Sequence, residues 1–213
     1  MKATPEIHRV DPLHPAAGPI DAAVRVLAVG GLIAFPTGCL YGLGADAGKP
    51  AAVERVYAIK NRPADKPLLV LVPERQTVFN LAAEVPAVAH KLMDRFWPGK
   101  VTIVFQARSG LPAGLTSGTG KIGIRLPGHP VASALVAAFG RPITGTSANL
   151  SGREGCHDIE ELDPLLMVQL DLVLDAGPLK QGVGSTVVDI SGDDLVVLRE
   201  GVVSQAAILA AVR

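Results

Sequence analysis

The sequence contains little cysteine and no excess of charge of either sign. Its 213 residues include two cysteines, Cys39 and Cys156, too few for a disulfide framework or a four-thiolate zinc site. Lysine and arginine together number 20, as do aspartate and glutamate, so no bulk positive field can hold nucleic acid by neutralising its backbone. We therefore expect a protein of the reducing cytoplasm in which any contact with RNA is local.

Long apolar runs are also missing. Proline, glycine or charged residues interrupt each apolar run well short of the roughly 20 residues that a bilayer span needs. The first residues also lack the apolar stretch of a secretory signal. Because 48% of the residues are hydrophobic, the chain can still fill a sizeable core. The composition predicts one soluble domain with no membrane partner.

Generic ligand motifs are absent or misplaced. No G-x-x-x-x-G-K-[ST] phosphate loop occurs, so an ATP site would have to be of another kind. The letters of G-x-G-x-x-G occur from Gly118 to Gly123, but a strand pattern follows them where a dinucleotide motif needs a helix. The histidines form no zinc pattern, so we expect no protein-ligated metal. Mg²⁺ that enters with ATP would be held mainly by phosphates and water.

The periodicity of the chain alternates between helical and extended. Residues 1–18, rich in proline and histidine, are interpreted as an N-terminal arm or edge segment, and residues 19–213 as a single domain. The pattern predicts helices at 19–29, 50–60, 87–96 and 131–139, and strands at 32–35, 67–72, 101–105, 121–126, 171–174, 185–190 and 195–199. This alternation is typical of an α/β fold. Short turns between the last strands predict a mixed sheet with an antiparallel portion.

Two loops beside predicted strands carry groups suited to phosphate. The glycine-rich stretch from Pro36 follows a buried strand and offers backbone amides and the Thr37 hydroxyl to a ligand, although an ordinary strand–helix turn would have a similar sequence. Lys60, Arg62 and Lys66 lie in a loop stiffened by prolines and could form a polyphosphate clamp. Capping of the preceding helix is the alternative role for Lys60.

A third polar segment, residues 144–152, follows a predicted helix and a short strand. Its small hydroxyl and amide side chains suit a nucleotide ribose or phosphate. Ser147 or Asn149 could instead cap the next turn. In the first segment, Cys39 has no evident base beside it, which favours a small polar filler over a nucleophile.

Seven strings, taken in order along the chain, carry a resemblance to a known family. They are Pro36-Thr-Gly-Cys-Leu-Tyr-Gly-Leu, Lys60-Asn-Arg-Pro, Phe96-Trp-Pro-Gly, Ile124-Arg-Leu-Pro-Gly-His-Pro, Ser147-Ala-Asn-Leu-Ser-Gly, Ser185-Thr-Val-Val-Asp and Leu198-Arg-Glu-Gly. They resemble the signature strings of the YrdC-like threonylcarbamoyl-AMP synthases. The likeness covers residues 20–204 and is to the short form of that family, which lacks an extra C-terminal domain.

The resemblance implies an open, twisted, mixed α/β sheet with helices around it and a concave ligand-binding face. There ATP, L-threonine and bicarbonate would yield threonylcarbamoyl-AMP and pyrophosphate. A second enzyme, a tRNA-modifying transferase, would then pass the threonylcarbamoyl group to an adenosine of tRNA.

The residues that match the family's strings receive the following expected roles. Lys60, Arg62, Ser147, Asn149 and Arg199 would bind the nucleotide, with Lys60 and Arg62 also catalytic, and we expect Lys66 of the same cationic loop to bind it as well. Thr37, Cys39, Arg125 and Ser185 would bind threonine. We expect the loops that carry these residues to line one cavity.

The chain departs from the family's strings at several positions. Gly38 and Cys39 replace an acidic residue and a threonine, Leu71 a histidine, Gly155 a serine and Gly184 a glutamate. Several of these changes fall on the threonine side, so the resemblance supports nucleotide binding more directly than threonine turnover. Two alternatives stay open: a diverged relative that adenylates another carbamoyl acceptor, and a noncatalytic RNA-binding module.

Overall fold

The computed structural model describes residues 4–180 and 182–213, which form eleven short strands and eight α-helices. The strands are β1 Glu6–Arg9, β2 Ile33–Pro36, β3 Tyr41–Gly44, β4 Val70–Leu71, β5 Val101–Gln106, β6 Lys121–Arg125, β7 Ile143–Thr144, β8 Thr146–Ser147, β9 Leu172–Asp175, β10 Thr186–Asp189 and β11 Val196–Arg199. The α-helices are α1 Ala17–Ala28, α2 Pro50–Lys60, α3 Val78–Leu81, α4 Ala87–Phe96, α5 Ala113–Thr116, α6 Pro130–Phe139, α7 Pro164–Met167 and α8 Gln205–Val212. None of these described helices is long and apolar enough to cross a membrane.

The strands belong to two open, mixed sheets. The first has the order β1-β9-β2-β3-β8 and the second the order β11-β10-β5-β6-β4-β7. Strands β1 and β9, β9 and β2, β10 and β5, and β4 and β6 are parallel, whereas the other neighbours are antiparallel. The predicted α/β class with an open mixed sheet is confirmed, and the strands divide between two such sheets.

Proline and glycine punctuation sets several helix ends. Helix α2 begins at Pro50, whose fixed φ suits a first helical turn, and is followed by Asn61 in the left-handed conformation with φ 48°. Helix α6 begins at Pro130 and is followed by Gly140 with φ 68°. The helices predicted at 50–60 and 87–96 have these same bounds, and the one predicted at 131–139 begins one residue earlier.

Two predicted segments differ from the structure. The glycine-rich stretch after β2 was expected to be a loop, yet residues 41–44 form β3, which pairs antiparallel with β2. Glycine usually weakens a strand, but here it makes room, since a Cβ on Gly44 would lie 2.8 Å from the Phe35 ring. The strand predicted at 67–72 is shortened to Val70–Leu71, and residues 67–69 border the cavity described below.

The N-terminal segment contributes an edge strand. β1 lies at one end of the first sheet, with Ile7 opposite Val173 of β9. Helix α1 then begins at Ala17 and buries Ile20, Ala23 and Leu27 along one face. The first three residues of the segment predicted as an arm lie outside the described residues.

Alternate residues of the second sheet face opposite environments. Ile103, Ile122 and Ile124 pack in a core cluster against helices such as α2 and α4. Their neighbours Gly123 and Arg125 point to the other side, where both line a cavity. The period of two along a strand therefore supplies both the core and the site.

Candidate functional site

A cavity of about 630 Å³ lies on the concave face of the second sheet. Its floor comes from β5, β6 and β10, and its walls from β8, β11, the turn after β2 and residues 67–69. Gly123 leaves space in the floor, where a Cβ would crowd Leu69 Cβ and Thr102 Cγ2 at 3.3 Å each. The volume falls within the usual range for small-molecule sites, about 300–1,000 Å³.

Arg62 lies at the rim of this cavity, in the loop that follows α2. Its Nε donates to the Lys66 carbonyl at 3.0 Å and its Nη2 to the Pro67 carbonyl at 2.9 Å. These bonds fold the loop onto the guanidinium, and the remaining N–H groups are available to a ligand. The Lys66 side chain is exposed and does not line the cavity, so Arg62 is the cation that this loop brings to the site.

Lys60 lies in the last turn of α2 and is only 1% exposed. Its Nζ donates to the Ser147 carbonyl at 2.5 Å, the Asn149 carbonyl at 2.7 Å and Asn149 Oδ1 at 3.3 Å. An ammonium has three N–H groups, so these oxygens use its full capacity. Lys60 thus fastens the segment of Ser147 and Asn149 to α2 and does not itself line the cavity.

The environment of Lys60 disfavours its charge. Burial and, to a smaller extent, the nearby positive charge of Arg62 together lower the pKa of the Lys60 ammonium to about 7. The three oxygen acceptors act in the opposite direction, since they favour the protonated form. No carboxylate pairs with Lys60 in the described part of the chain.

Ser147 and Asn149 occupy different places around one turn. Ser147 lines the cavity, and its hydroxyl donates to Asn149 Oδ1. The Asn149 amide donates to the carbonyls of Leu150 at 2.8 Å and Arg153 at 2.7 Å. Asn149 therefore holds the turn that follows Ser147 and lies outside the cavity lining, which is close to the capping role considered from the sequence.

Arg125 is the most deeply buried cation that lines the cavity. It is 8% exposed and lines the cavity floor, and its Nε is buried without a hydrogen-bond partner among the described residues. Burial and, to a smaller extent, the charge of Arg199 together lower the pKa of its guanidinium to about 10. A buried cation without a partner is costly, so this group is arranged for an anion that the chain does not supply.

Arg199 and Ser185 form the opposite wall. The Arg199 guanidinium donates to the Ser185 carbonyl from Nη2 at 2.7 Å and from Nε at 3.2 Å. The Ser185 hydroxyl shares a hydrogen bond of 3.0 Å with the Thr102 hydroxyl. Both Arg199 and Ser185 line the cavity, so the structure brings them to Arg125.

The turn between β2 and β3 places Thr37 at the site and Cys39 beside it. The Thr37 hydroxyl donates to the Leu40 carbonyl at 2.8 Å, which fixes the turn, and Thr37 lines the cavity. Cys39 is not a lining residue: its Sγ accepts from Lys100 Nζ at 3.6 Å. Of the residues predicted from the sequence, the cavity lining therefore includes Thr37, Arg62, Arg125, Ser147, Ser185 and Arg199, and leaves out Cys39, Lys60, Lys66 and Asn149.

Lys121 and Asp189 are lining residues that the sequence analysis missed. Lys121 Nζ donates to Asp189 Oδ2 at 2.8 Å, and Asp189 is 8% exposed. Lys121, Gly123 and Arg125 alternate along β6 and share the cavity face. That period of two was readable in the sequence once Arg125 had been singled out.

The departures from the family strings have distinct surroundings. Leu71 is fully buried and packs in the core between α1, α6 and β2. At Gly155 a Cβ would lie 2.7 Å from the Leu40 side chain, so the glycine permits close packing. At Gly184 a Cβ would lie 3.4 Å from Arg199 Nη2, so the absence of a side chain leaves the guanidinium without a neighbouring acid.

The charges of the cavity favour an anionic ligand. Within residues 4–180 and 182–213, Arg62, Arg125 and Arg199 form no ion pair, whereas Lys121 is paired with Asp189. The same residues contain no group of three or more histidine, cysteine, aspartate or glutamate side chains that could hold a metal. Guanidinium forks match phosphate and carboxylate oxygens.

Sequence comparison identifies relatives over most of the chain. The family model Sua5_yciO_yrdC, whose description reads "Telomere recombination", matches residues 25–201. Threonylcarbamoyl-AMP synthase of Pyrococcus abyssi is 36% identical over 182 residues, 85% of this chain and 54% of that protein. The protein of the same name from Bacillus subtilis is 37% identical over 194 residues, 91% of this chain and 56% of that protein. The chain thus spans little more than half the length of these two relatives.

Solved structures of Sua5 and YciO are similar to this chain over most of its length. P. abyssi Sua5 complexed with L-threonine has a TM-score of 0.92 and 33% identity, over 97% of this chain and 60% of that chain. E. coli YciO has a TM-score of 0.87 and 31% identity, over 96% of this chain and 99% of that chain. HypF, in its phosphate- and nucleotide-bound form, has a TM-score of 0.74 at 21% identity over 87% of this chain and 29% of that chain, and shares the fold alone.

The buried ammonium of Lys60 predicts a pH dependence of stability. Its pKa is about 7 in the folded chain against 10.5 when exposed, so between these values the unfolded chain binds a proton that the folded chain has released. The free energy of unfolding therefore rises with pH in this window, at about 1.4 kcal/mol per pH unit. Denaturant unfolding from pH 6 to 9.5 should show this rise for the native chain relative to Lys60→Met. The exposed Lys66→Met is the control that keeps the slope, and parallel native and Lys60→Met curves would contradict the prediction.

The unpartnered Arg125 predicts a site that costs stability. Replacing it by methionine, which fills similar space without a charge, should leave the free energy of unfolding unchanged or raise it by about 1–2 kcal/mol. If L-threonine stabilises the native chain through this guanidinium, the same variant should lose that stabilisation, whereas any stabilisation that added pyrophosphate gives should persist. Thermal melts with and without each ligand measure both effects, and a strongly destabilised variant would mean that Arg125 is a structural cation.

Proposed function

The chain belongs to the Sua5–YciO–YrdC family, and from this we propose that it is an L-threonylcarbamoyladenylate synthase. The reaction proposed is that of a nucleotidyltransferase, which condenses ATP, L-threonine and bicarbonate into threonylcarbamoyl-AMP and pyrophosphate. Relatives at 36–37% identity are named threonylcarbamoyl-AMP synthase, and the similar Sua5 structure is a complex with L-threonine. The proposal extends this activity to the present chain.

One observation carries the proposal. Arg62, Arg125 and Arg199 surround one cavity, and among the described residues none of them has a carboxylate partner. A nucleoside triphosphate and an amino acid are both anions, so together they would compensate these charges. Apolar lining from Leu68, Leu69 and other residues leaves room for the uncharged parts of the substrates.

The chemistry requires orientation more than a strong acid or base. The threonine amine and bicarbonate would form a carbamate with loss of water. A carbamate oxygen would then attack the α-phosphorus of ATP, and pyrophosphate would leave. Arg62 and Arg199 can hold phosphate oxygens through N–H groups that the protein does not use, which neutralises the charge that accumulates on them.

Threonine is assigned to the Arg125 side of the cavity. The Arg125 guanidinium can grip the amino-acid carboxylate in a bidentate pair, which would also provide the missing partner of its buried Nε. The hydroxyls of Ser185 and Thr37 lie on the cavity walls and can orient the amine or the hydroxyl of the substrate. Cys39 lies in the same turn as Thr37 but outside the cavity lining, so its effect on threonine would be indirect, through the turn that its contact with Lys100 holds.

Lys60 and Asn149 would serve nucleotide binding indirectly. Both hold the backbone around Ser147, and Ser147 reaches the cavity. Magnesium is proposed to enter with ATP and to be coordinated by its phosphates and by water. The described residues offer no cluster of metal ligands, so no step is assigned to a protein-bound ion.

The product implies a second protein. A mixed anhydride such as threonylcarbamoyl-AMP is reactive, so a tRNA-modifying transferase would have to receive it and pass the threonylcarbamoyl group to tRNA. The zero formal net charge of the chain fits a local tRNA contact rather than a broad basic surface. The proposed setting is the cytoplasm, where the two free cysteines would stay reduced.

Product analysis tests the function directly. The chain incubated with ATP, Mg²⁺, L-threonine and bicarbonate should release pyrophosphate and form a species with the mass of threonylcarbamoyl-AMP, and omission of any one substrate should stop both. Pyrophosphate release that is independent of threonine would instead indicate a relative that uses another acceptor. Binding of tRNA without any product would favour the RNA-binding alternative.

Arg62 provides a test of the nucleotide end. Arg62→Ala should weaken ATP binding about tenfold to a hundredfold, because it removes charge-assisted hydrogen bonds worth about 1.5–3 kcal/mol. Calorimetric titration with ATP measures the change. Arg108→Ala is the matched control, since Arg108 is an exposed arginine outside the cavity lining. Equal affinities of Arg62→Ala and Arg108→Ala for ATP would show that Arg62 does not bind the nucleotide.

A further inference from the structure

The hydroxyl of Tyr57 joins three segments at one point. Its oxygen lies 2.8 Å from the Lys66 carbonyl, 2.6 Å from the Gly114 carbonyl and 2.8 Å from the Ser117 hydroxyl. A phenol has one proton to donate and can accept as well. Tyr57 therefore shares its proton between the two carbonyls and accepts from Ser117, so the hydroxyl is fully occupied.

The first of these partners belongs to the loop that carries Arg62. The Lys66 carbonyl accepts from Tyr57 and also from Arg62 Nε at 3.0 Å, and the next carbonyl, that of Pro67, accepts from Arg62 Nη2. The position of the Arg62 fork therefore depends on where the Lys66 carbonyl is held. Tyr57 lies in α2, a rigid element just before the loop.

The other partners belong to the segment that leads into β6. Gly114 lies in α5, where a Cβ would be 2.7 Å from Val53 Cγ1 and 3.2 Å from the Tyr57 ring, so α5 packs tightly against α2. Ser117 follows α5 in the left-handed conformation with φ 48°. Two residues later the chain reaches Thr119, which lines the cavity. One hydroxyl thus connects two rims of the cavity.

We propose that Tyr57 is a positioning residue for the phosphate end of the site: its hydroxyl sets the distance between the 62–67 loop and the segment before β6, and so aims Arg62 at the phosphates of a nucleotide. Tyr57 lies outside the cavity lining and acts through Arg62. The inference rests on the proposed function for the identity of the nucleotide. The geometry of the three contacts is independent of it.

The test is Tyr57→Phe, which keeps the ring and removes only the hydroxyl. We expect the KM for ATP and the calorimetric Kd for ATP each to rise about tenfold, the range of a misplaced charge-assisted contact, with the KM for threonine unchanged. Ser117→Ala, which removes one of the three partners, should give a smaller rise in the same direction.

Tyr41→Phe is the matched control. Its hydroxyl is likewise held by protein groups, donating to the Gly177 carbonyl at 2.7 Å, but Gly177 follows β9 and belongs neither to the 62–67 loop nor to the segment before β6. This variant should lower the melting temperature without changing the ratio of the two KM values. A purely structural role of Tyr57 would produce the same pattern as Tyr41→Phe and would overturn the inference.

The outcomes separate this inference from the proposed function. ATP binding that Tyr57→Phe weakens, in a chain that makes no threonylcarbamoyl-AMP, would retain the inference and reject the function. Full activity with an unchanged KM for ATP in Tyr57→Phe would retain the proposed function and reject the inference. Absence of binding of both ATP and pyrophosphate by the native chain would overturn the two together.

Discussion

Lys60 and Arg125 place positive charge below the surface of this fold, and no carboxylate pairs with either in the part of the chain that the structure describes. The two cations meet the cost of desolvation differently. Lys60 is surrounded by three oxygens, two of them backbone carbonyls, so its N–H groups hold two parts of the chain together. Arg125 keeps a buried N–H without a partner, so its charge is compensated only when an anion enters. Lys60 therefore stabilises the shape of the site, whereas a bound anion would stabilise Arg125.

The two sheets make this arrangement possible. Alternate residues of β6 point into the core and into the cavity, so a strand that is tightly packed on one side can present Lys121, Gly123 and Arg125 on the other. Glycines then set the depth: Gly123 leaves the floor bare between Leu69 and Thr102, and at Gly145 a Cβ would lie 2.7 Å from the Leu71 side chain. A site of this kind depends on side chains that are absent as much as on those present.

Local signals predicted the framework well and the contacts of the site less well. Helix α2 was predictable because Pro50 and the residues after Lys60 mark its ends. Strand β3 was missed because its two glycines are typical of a loop, whereas in the structure Gly42 makes room for the Thr37 side chain and Gly44 for the Phe35 ring. The sequence singled out Lys60 as a phosphate ligand, yet its partners lie 87 and 89 residues further along the chain. Such a contact depends on tertiary structure and leaves no local pattern.

The positions that depart from the family strings illustrate how the site separates its two ends. Leu71 is fully buried in the core, beside the lining residue Gly145, at which a Cβ would be 2.7 Å from the leucine side chain. Gly184 lies beside Arg199 on the opposite wall, where an acidic side chain at position 184 would compete with a ligand anion for the guanidinium. With glycine at 184, Arg199 stays free for a ligand anion. The departures at 71 and 184 therefore replace polar side chains of the family strings without adding a carboxylate, and among the described residues Arg62, Arg125 and Arg199 form no ion pair.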